Sequence, residues 1–335
     1  MSRPVIQTSG LATGYGGRGR RGRTTVGRDL DLCLMAGRVT CLMGPNGSGK
    51  STLLRTLGGF LPPLAGGVLI NGRMLESYSR SELSVLVGVT LTGKTAAGGI
   101  TVSELVSLGR HPYTGFFGRL SRHDKDAVSR AIQAAGIFHK AHCYVSELSD
   151  GERQRAMIAK TLAQECPIII LDEPTAFLDA VGRIEIMTLL HKLAREQGKA
   201  ILLSTHDADQ AVRTADCLWL LSGGRGAKAG APEDLILDGS FETFFGREGM
   251  KFDPYSGHFE PTTPLAPIGL GGDRLTALWV ANALRRAGWQ PSDSDRLPGV
   301  NCTNKNHIIL TLASGERLVA SSVEELSALM SRIQP

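Results

Sequence analysis

The stretch "GPNGSGKST" (Gly44–Thr52) decides the reading of this chain. An apolar run, "VTCLM" (Val39–Met43), leads into it, and "LLRTL" (Leu53–Leu57) continues it with helical spacing. A strand, a glycine-rich turn and a helix in that order gather backbone N–H groups around a phosphate. The helix N-terminus adds a favourable partial positive charge. Gly44, Asn46, Gly47, Ser48 and Gly49 are therefore candidate phosphate-loop positions, with Thr52 closing the pattern. Lys50 is the candidate to reach the β- and γ-phosphates, and the Ser51 hydroxyl the candidate ligand for Mg²⁺.

Three further segments fit the same chemistry. In "IIILDEP" (Ile168–Pro174) an apolar strand ends in two acids, a costly placement unless they meet a cation or a polar site. Asp172 suits Mg²⁺, directly or through water. Glu173 is expected to point the other way along the strand's two-residue period, where it can polarise an attacking water. "STHD" (Ser204–Asp207) closes another apolar strand, and in the same sheet His206 would reach the γ-phosphate and that water. In "LSDGERQR" (Leu148–Arg155), Ser149 and Gly151 precede a helix and offer a second phosphate-facing N-terminus. Apolar strands alternating with helices imply a parallel sheet, hence an α/β fold.

Bulk properties narrow the class without choosing within it. The chain has 335 residues, 42% hydrophobic and 21% charged, enough for a large domain plus an appendage. A net charge of +5 permits a nucleic-acid or acidic membrane partner but does not demand one. The six cysteines form no C-x-x-C pair and read as reduced thiols. No secretory apolar segment opens the chain, and no run approaches the roughly 20 residues of a spanning helix. A cytoplasmic location is expected, with any membrane role coming through a partner.

Taken together and in this order, the segments resemble the ATP-binding cassette (ABC) ATPases over residues 5–245. "LSDGE" looks like that family's signature, with Asp150 and Glu152 replacing the commoner Gly and Gln. "AFLDA" (Ala176–Ala180) looks like its D-loop, centred on Asp179, and Tyr15 in "LATGYGG" stands where the family stacks an aromatic on adenine. The resemblance implies a P-loop cassette of mixed β-sheet core with a RecA-like parallel sheet, an antiparallel β subdomain and an α-helical subdomain at about 95–165. It also implies ATP with Mg²⁺ as ligands and a head-to-tail pair of copies, in which Ser149, Gly151 and Glu152 serve the opposite copy's nucleotide. A narrower resemblance, to importers of iron-siderophore, heme and cobalamin, rests on the phosphate-loop segment, on "GRHPYTGFFGRLS" (Gly109–Ser121) and on "LSDGERQRAMIAKTLAQECPIIILDEPTAFLD". It implies permease subunits as partners, against which His111, Tyr113, Phe116 and Phe117 would lie. An extracytoplasmic binding protein would take part indirectly, and the protein would sit peripherally on the cytoplasmic face of the inner membrane.

Three features fit less simply. The Arg-rich "GGRGRRGRTTVGR" (Gly16–Arg28) raises an alternative, a non-transport cassette ATPase acting on nucleic acid or ribosomes. A solvated loop is the preferred reading, and no nucleic acid is expected as a partner. In "LVGVTLTGKTAAGG" (Leu86–Gly99) the family's glutamine near Mg²⁺ is missing. Thr92 is the nearest equivalent, through water, with Thr90 as the register alternative. Finally, residues 1–250 are expected to form the nucleotide-binding domain, 251–272 a Pro/Gly-rich linker, and 273–335 a small α+β extension of helix, hairpin and helix.

Overall fold

A computed structural model describes residues 4–16, 24–91, 99–115, 118–224, 226–246, 249–254, 257–262, 265–294 and 297–333. It divides into a unit of residues 1–260 and a unit of residues 261–335.

The first unit is organised by a six-stranded sheet. Its order is Ala227–Gly230, Cys217–Leu221, Val39–Met43, Ala200–Ser204, Ile168–Leu171 and Val87–Thr90. All neighbours run parallel except the edge strand Ala227–Gly230. The three inner strands Val39–Met43, Ile168–Leu171 and Ala200–Ser204 are buried along their whole length. That is why they read as continuous apolar runs rather than alternating ones. A second, antiparallel sheet pairs Pro4–Tyr15 with Thr24–Leu30, Cys33–Met35 and Ala65–Ile70.

Helices Val102–Ser107, Arg122–Ala134 and Asp150–Ala163 share a core of their own, around Leu105, Ile132 and Ala156. Each opens on a capping box: Thr101 with Glu104, Ser121 with Asp124, Ser149 with Glu152. These boxes satisfy N–H groups that the first turn would otherwise strand. Arg110 is buried among these helices and binds Asp124 at 2.8 Å, Glu165 at 2.7 Å and the Ala163 carbonyl at 2.8 Å. The Ser121 hydroxyl and amide, followed by Arg110, hold the Asp124 carboxyl down to about 2.

The stretch 251–272, expected as a linker, contains the boundary between the two units and is strand-rich in its described residues. It carries strands Met250–Asp253 and His258–Pro261, which pair with each other, and then Ala266–Gly272. Phe241 packs with Phe252 and Phe259 in an aromatic cluster, so the start of this stretch belongs to the first unit's core. Ala266–Gly272 is an inner strand of the second unit, whose sheet order is Trp289–Ser292, Ala266–Gly272, Gly299–Asn304, His307–Thr311 and Arg317–Ala320. Prolines and glycines concealed it, because backbone pairing on both sides holds it without a side-chain pattern. The expected helices and the hairpin at Ser314–Gly315 are present as Arg274–Arg286, Val323–Met330 and the pair His307–Thr311 with Arg317–Ala320.

Candidate functional site

In the parallel sheet the phosphate-loop strand Val39–Met43 lies beside Ala200–Ser204, which lies beside Ile168–Leu171. Register pairs Leu42 with Ser204 and Leu171 with Leu203, so the three strands end together. The phosphate loop, the acid pair and His206 follow those three ends, the edge where α/β sheets bind ligands.

The loop is built to hold an anion closely. Gly49 caps helix Lys50–Leu57 at φ 97°, with no side-chain cap and no acid in the first turn. Its amides are therefore left for an external acceptor. A Cβ on Gly44 would lie 2.5 Å from the Leu221 carbonyl oxygen and 2.7 Å from Ser48 Oγ, so only glycine fits. Ser48 Oγ is buried with no hydrogen-bond partner in the protein, and a phosphate oxygen would supply one. Lys50 is buried and donates from Nζ to the carbonyls of Gly44 and Pro45, at 2.8 and 3.1 Å. Burial lowers its pKa, and the nearby Glu173 and Asp172 oppose that. Asn46 and Gly47 form the exposed tip, Ser51 is half-buried, and Thr52 is buried.

The acid pair is arranged differently from a continuing strand. The strand stops at Leu171, and Glu173 takes φ 51°, a left-handed conformation uncommon for a residue other than glycine. This kink, not strand alternation, sets the two acids apart. Ser204, wholly buried on the neighbouring strand, bridges them. Its hydroxyl donates to Asp172 Oδ1 at 2.6 Å and accepts the Glu173 N–H at 2.9 Å. Glu173 Oε1 in turn lies 2.6 Å from His206 Nε2. Asp172 is 2% exposed, whereas the Glu173 and His206 side chains stay partly open to solvent. Both acids thus lie near Lys50, and the imidazole contacts the half-open one, an arrangement suited to orienting water against a phosphate.

Among the described residues no three His, Cys, Asp or Glu side chains form a metal cluster. A divalent ion here would share its ligands between protein and phosphate, as Mg²⁺ commonly does.

The profile described as "ABC transporter" matches residues 28–176, and one described as "Iron ABC transporter C-terminal domain" matches residues 265–331. The ferric enterobactin transport ATP-binding protein FepC of Escherichia coli is 40% identical over 273 residues, covering 80% of this chain and 97% of FepC. The chain belongs to the ABC transporter ATP-binding proteins. Within them it falls in the iron-siderophore and cobalamin import group. YusV of Bacillus subtilis, described as a probable siderophore transport system ATP-binding protein, is 38% identical over 236 residues, covering 70% of this chain and 84% of YusV. The dimeric structure of the bacterial cassette MJ0796 superposes with a TM-score of 0.61 at 28% identity, covering 68% of this chain and 98% of that one. The cassette is therefore an ATPase that couples ATP hydrolysis to transport. Proteins of this kind work as dimers and with permeases. None of these three relatives is described as acting on nucleic acid or ribosomes, so that alternative gains no support from them. Among the described residues no helix is long and apolar enough to cross a membrane.

The remaining predicted positions fall around this centre. Tyr15 ends its strand beside the phosphate-loop helix, its hydroxyl 3.4 Å from Thr52 Oγ1 and 3.5 Å from Arg55, with the ring 45% exposed. Ser149 caps the signature helix Asp150–Ala163, and Gly151 lies in its first turn. Glu152 completes the capping box and pairs with Lys140 at 3.3 Å, so its carboxylate is engaged within its own subdomain. Asp179 Oδ1 accepts from the Gly182 amide and caps helix Ala180–Gln197. Thr90 is removed as the register alternative for the missing glutamine. It is buried, with its hydroxyl against that of Thr161. Thr92, Arg18–Arg23, Phe116 and Phe117 lie outside the described residues. Sequence reasoning missed Ser204, because a serine on an apolar strand carries no motif; its place in the "STHD" run beside His206 was the one available signal.

Proposed function

We propose that this cassette drives import of an iron-siderophore or a related metal chelate such as heme or cobalamin. Two copies would take part, each binding ATP between its own phosphate loop and the other's signature. In this reading the loop amides, Ser48 and Lys50 hold the phosphates, Tyr15 stacks on adenine, and Ser149 with Gly151 reaches the γ-phosphate of the opposite copy. Asp179 would lie by the pair's contact. Mg²⁺ would be held by Ser51 and Asp172, with Thr92 through water, and when bound supplies neutralisation of phosphate charge. Glu173 orients the attacking water, and His206 holds it against the γ-phosphate. The permeases would anchor the pair at the cytoplasmic face of the membrane, fed from outside by a binding protein. The metal-chelate cargo is supported by the names of the relatives and by the iron-type C-terminal profile.

The observation that carries the catalytic assignment is the 2.6 Å approach of Glu173 to His206 beside Lys50. Glu173→Gln keeps the size of the side chain and removes its basicity. It should cut steady-state hydrolysis by about 10²–10³-fold while ATP binding persists, trapping a dimer visible by gel filtration with light scattering. Undiminished turnover in that variant would remove Glu173 from the mechanism.

A further inference from the structure

The loop that carries His206 is held by residues that do not touch its ring. The His206 side chain is 45% exposed and meets Glu173 Oε1 at 2.6 Å, so its backbone, not an enclosing pocket, sets where the ring stands. On one side of it Thr205 is buried, and its amide donates to the Leu42 carbonyl at 3.2 Å, which fixes the loop to the phosphate-loop strand. On the other side the Asp207 amide donates to Thr205 Oγ1 at 3.1 Å. The Asp207 carboxylate is divided between two tasks. Its Oδ1 accepts the Gln210 amide at 2.9 Å and caps helix Ala208–Thr214, while its Oδ2 accepts from Arg183 Nη1 at 3.1 Å. Arg183 comes from another segment, near the start of helix Ala180–Gln197, and its Nε donates to the Leu178 carbonyl at 3.0 Å. One planar guanidinium thus ties the turn after Glu173 to the loop that carries His206. Thr175 and Gln210 join the same two segments, with Thr175 Oγ1 donating to Gln210 Oε1 at 3.2 Å. A cavity of about 390 Å³ lies here, and its walls include Glu173, Arg183, His206 and Asp207.

We propose that Arg183 is a positioning residue for hydrolysis, which holds the His206 loop against the turn Phe177–Asp179 so that the imidazole meets Glu173. The inference rests on the roles assigned above to Glu173 and His206. Arg183 acts through Asp207, since its hydrogen bonds go to Asp207 and Leu178 and not to the acid or the imidazole. Without the guanidinium, Asp207 keeps its helix cap and loses the partner that fixes its second oxygen, and the loop is free to shift. A displacement of about 1 Å at a reacting group is enough to slow a reaction severely. The placement of His206 therefore depends on the placement of Leu178, and movement of either segment is felt by the other. The Arg183 and Asp207 side chains are 41% and 35% exposed, and an ion pair so open to water adds little to stability, so its removal should leave the fold standing.

Variants of the full-length chain test this, with single-turnover hydrolysis of radiolabelled ATP to measure the slow ones. Arg183→Gln should lower kcat about tenfold and leave the KM for ATP unchanged, because the phosphate loop is untouched. His206→Ala should lower kcat about a hundredfold. Adding Arg183→Gln to His206→Ala should change kcat by less than about twofold, because the group that Arg183 positions is gone. Asp207→Asn keeps a capping oxygen for Gln210 and removes the charge that faces Arg183. It should match Arg183→Gln, and the two together should be no worse than either alone. An unchanged kcat in Arg183→Gln, losses that multiply in the double variant with His206→Ala, or a raised KM, the mark of a direct phosphate contact, overturns the proposal. Undiminished turnover in His206→Ala would overturn the assignment of His206 and the proposal with it, a failure that this single variant tells apart from the others.

Discussion

The two helix ends proposed to face phosphate differ in construction. Helix Lys50–Leu57 opens on Gly49, with no side-chain cap and no acid in its first turn. Helix Asp150–Ala163 opens on a closed capping box, with both Asp150 and Glu152 in its first turn. The first end leaves its amides to a ligand and is the stronger anion site. The second engages the Ser149 and Glu152 amides with its own side chains and sets negative charge in the turn where the proposed phosphate would approach. In the proposed pair, binding strength would therefore belong to the phosphate loop, and the signature end would contribute alignment at an electrostatic cost.

Lys50→Ala tests the stronger end and should have the largest effect. Hydrolysis should fall about 10³-fold or more and ATP binding should weaken, measured by steady-state phosphate release and by nucleotide fluorescence. Ser204→Ala follows. It removes the bridge between the acids and leaves the phosphate loop alone, so kcat should drop about 10–100-fold with ATP affinity unchanged. A parallel loss of ATP affinity would show that Ser204 supports the whole site rather than the acids. Glu152→Gln should act the opposite way and by only a few-fold. Glutamine keeps the capping box and removes one negative charge, so the apparent KM for ATP should fall. A rise in KM would mean that the Lys140 pair matters more than the charge facing the phosphate. The smallest effect is on pH. The Ser149 amide leads the groups that lower the Glu152 pKa, so the cap's contribution is present above the unfolded value of about 4.3 and is lost as pH falls below it. Hydrogen exchange at the Ser149 amide, which donates to the Glu152 carboxylate, should quicken there relative to neighbouring turns, whereas the Lys50–Leu57 end has no carboxylate to lose.

The legible parts of the molecule were those whose signal is local. The phosphate loop, the acids after Leu171 and His206 each sit within one strand-and-turn, so spacing alone singled them out as candidates that meet at one sheet edge. The contacts that tune them join distant segments. Ser204 reaches Asp172 across 32 residues, and Thr90 meets Thr161 across 71. Neither pairing follows from residue type, since a hydroxyl on an apolar strand gives no hint of its partner. The kink at Glu173 was hidden for a related reason, because the strand's end is fixed by sheet pairing and not by composition. The Pro/Gly-rich stretch before residue 273 misled in the other direction, where strands paired on both sides need no alternation to persist.

Arg110 has a mechanical consequence. It fastens the segment Leu108–Tyr113 to the last turn of helix Asp150–Ala163, through the Ala163 carbonyl and Glu165, while its guanidinium lies 4.1 Å from the Tyr113 ring centre. Ser149 stands at the other end of that helix, whose 14 residues span about 21 Å. The helix is thereby a stiff lever with a handle at Arg110 and a tip at Ser149. A push on the handle swings the tip without any loop between them to absorb the motion.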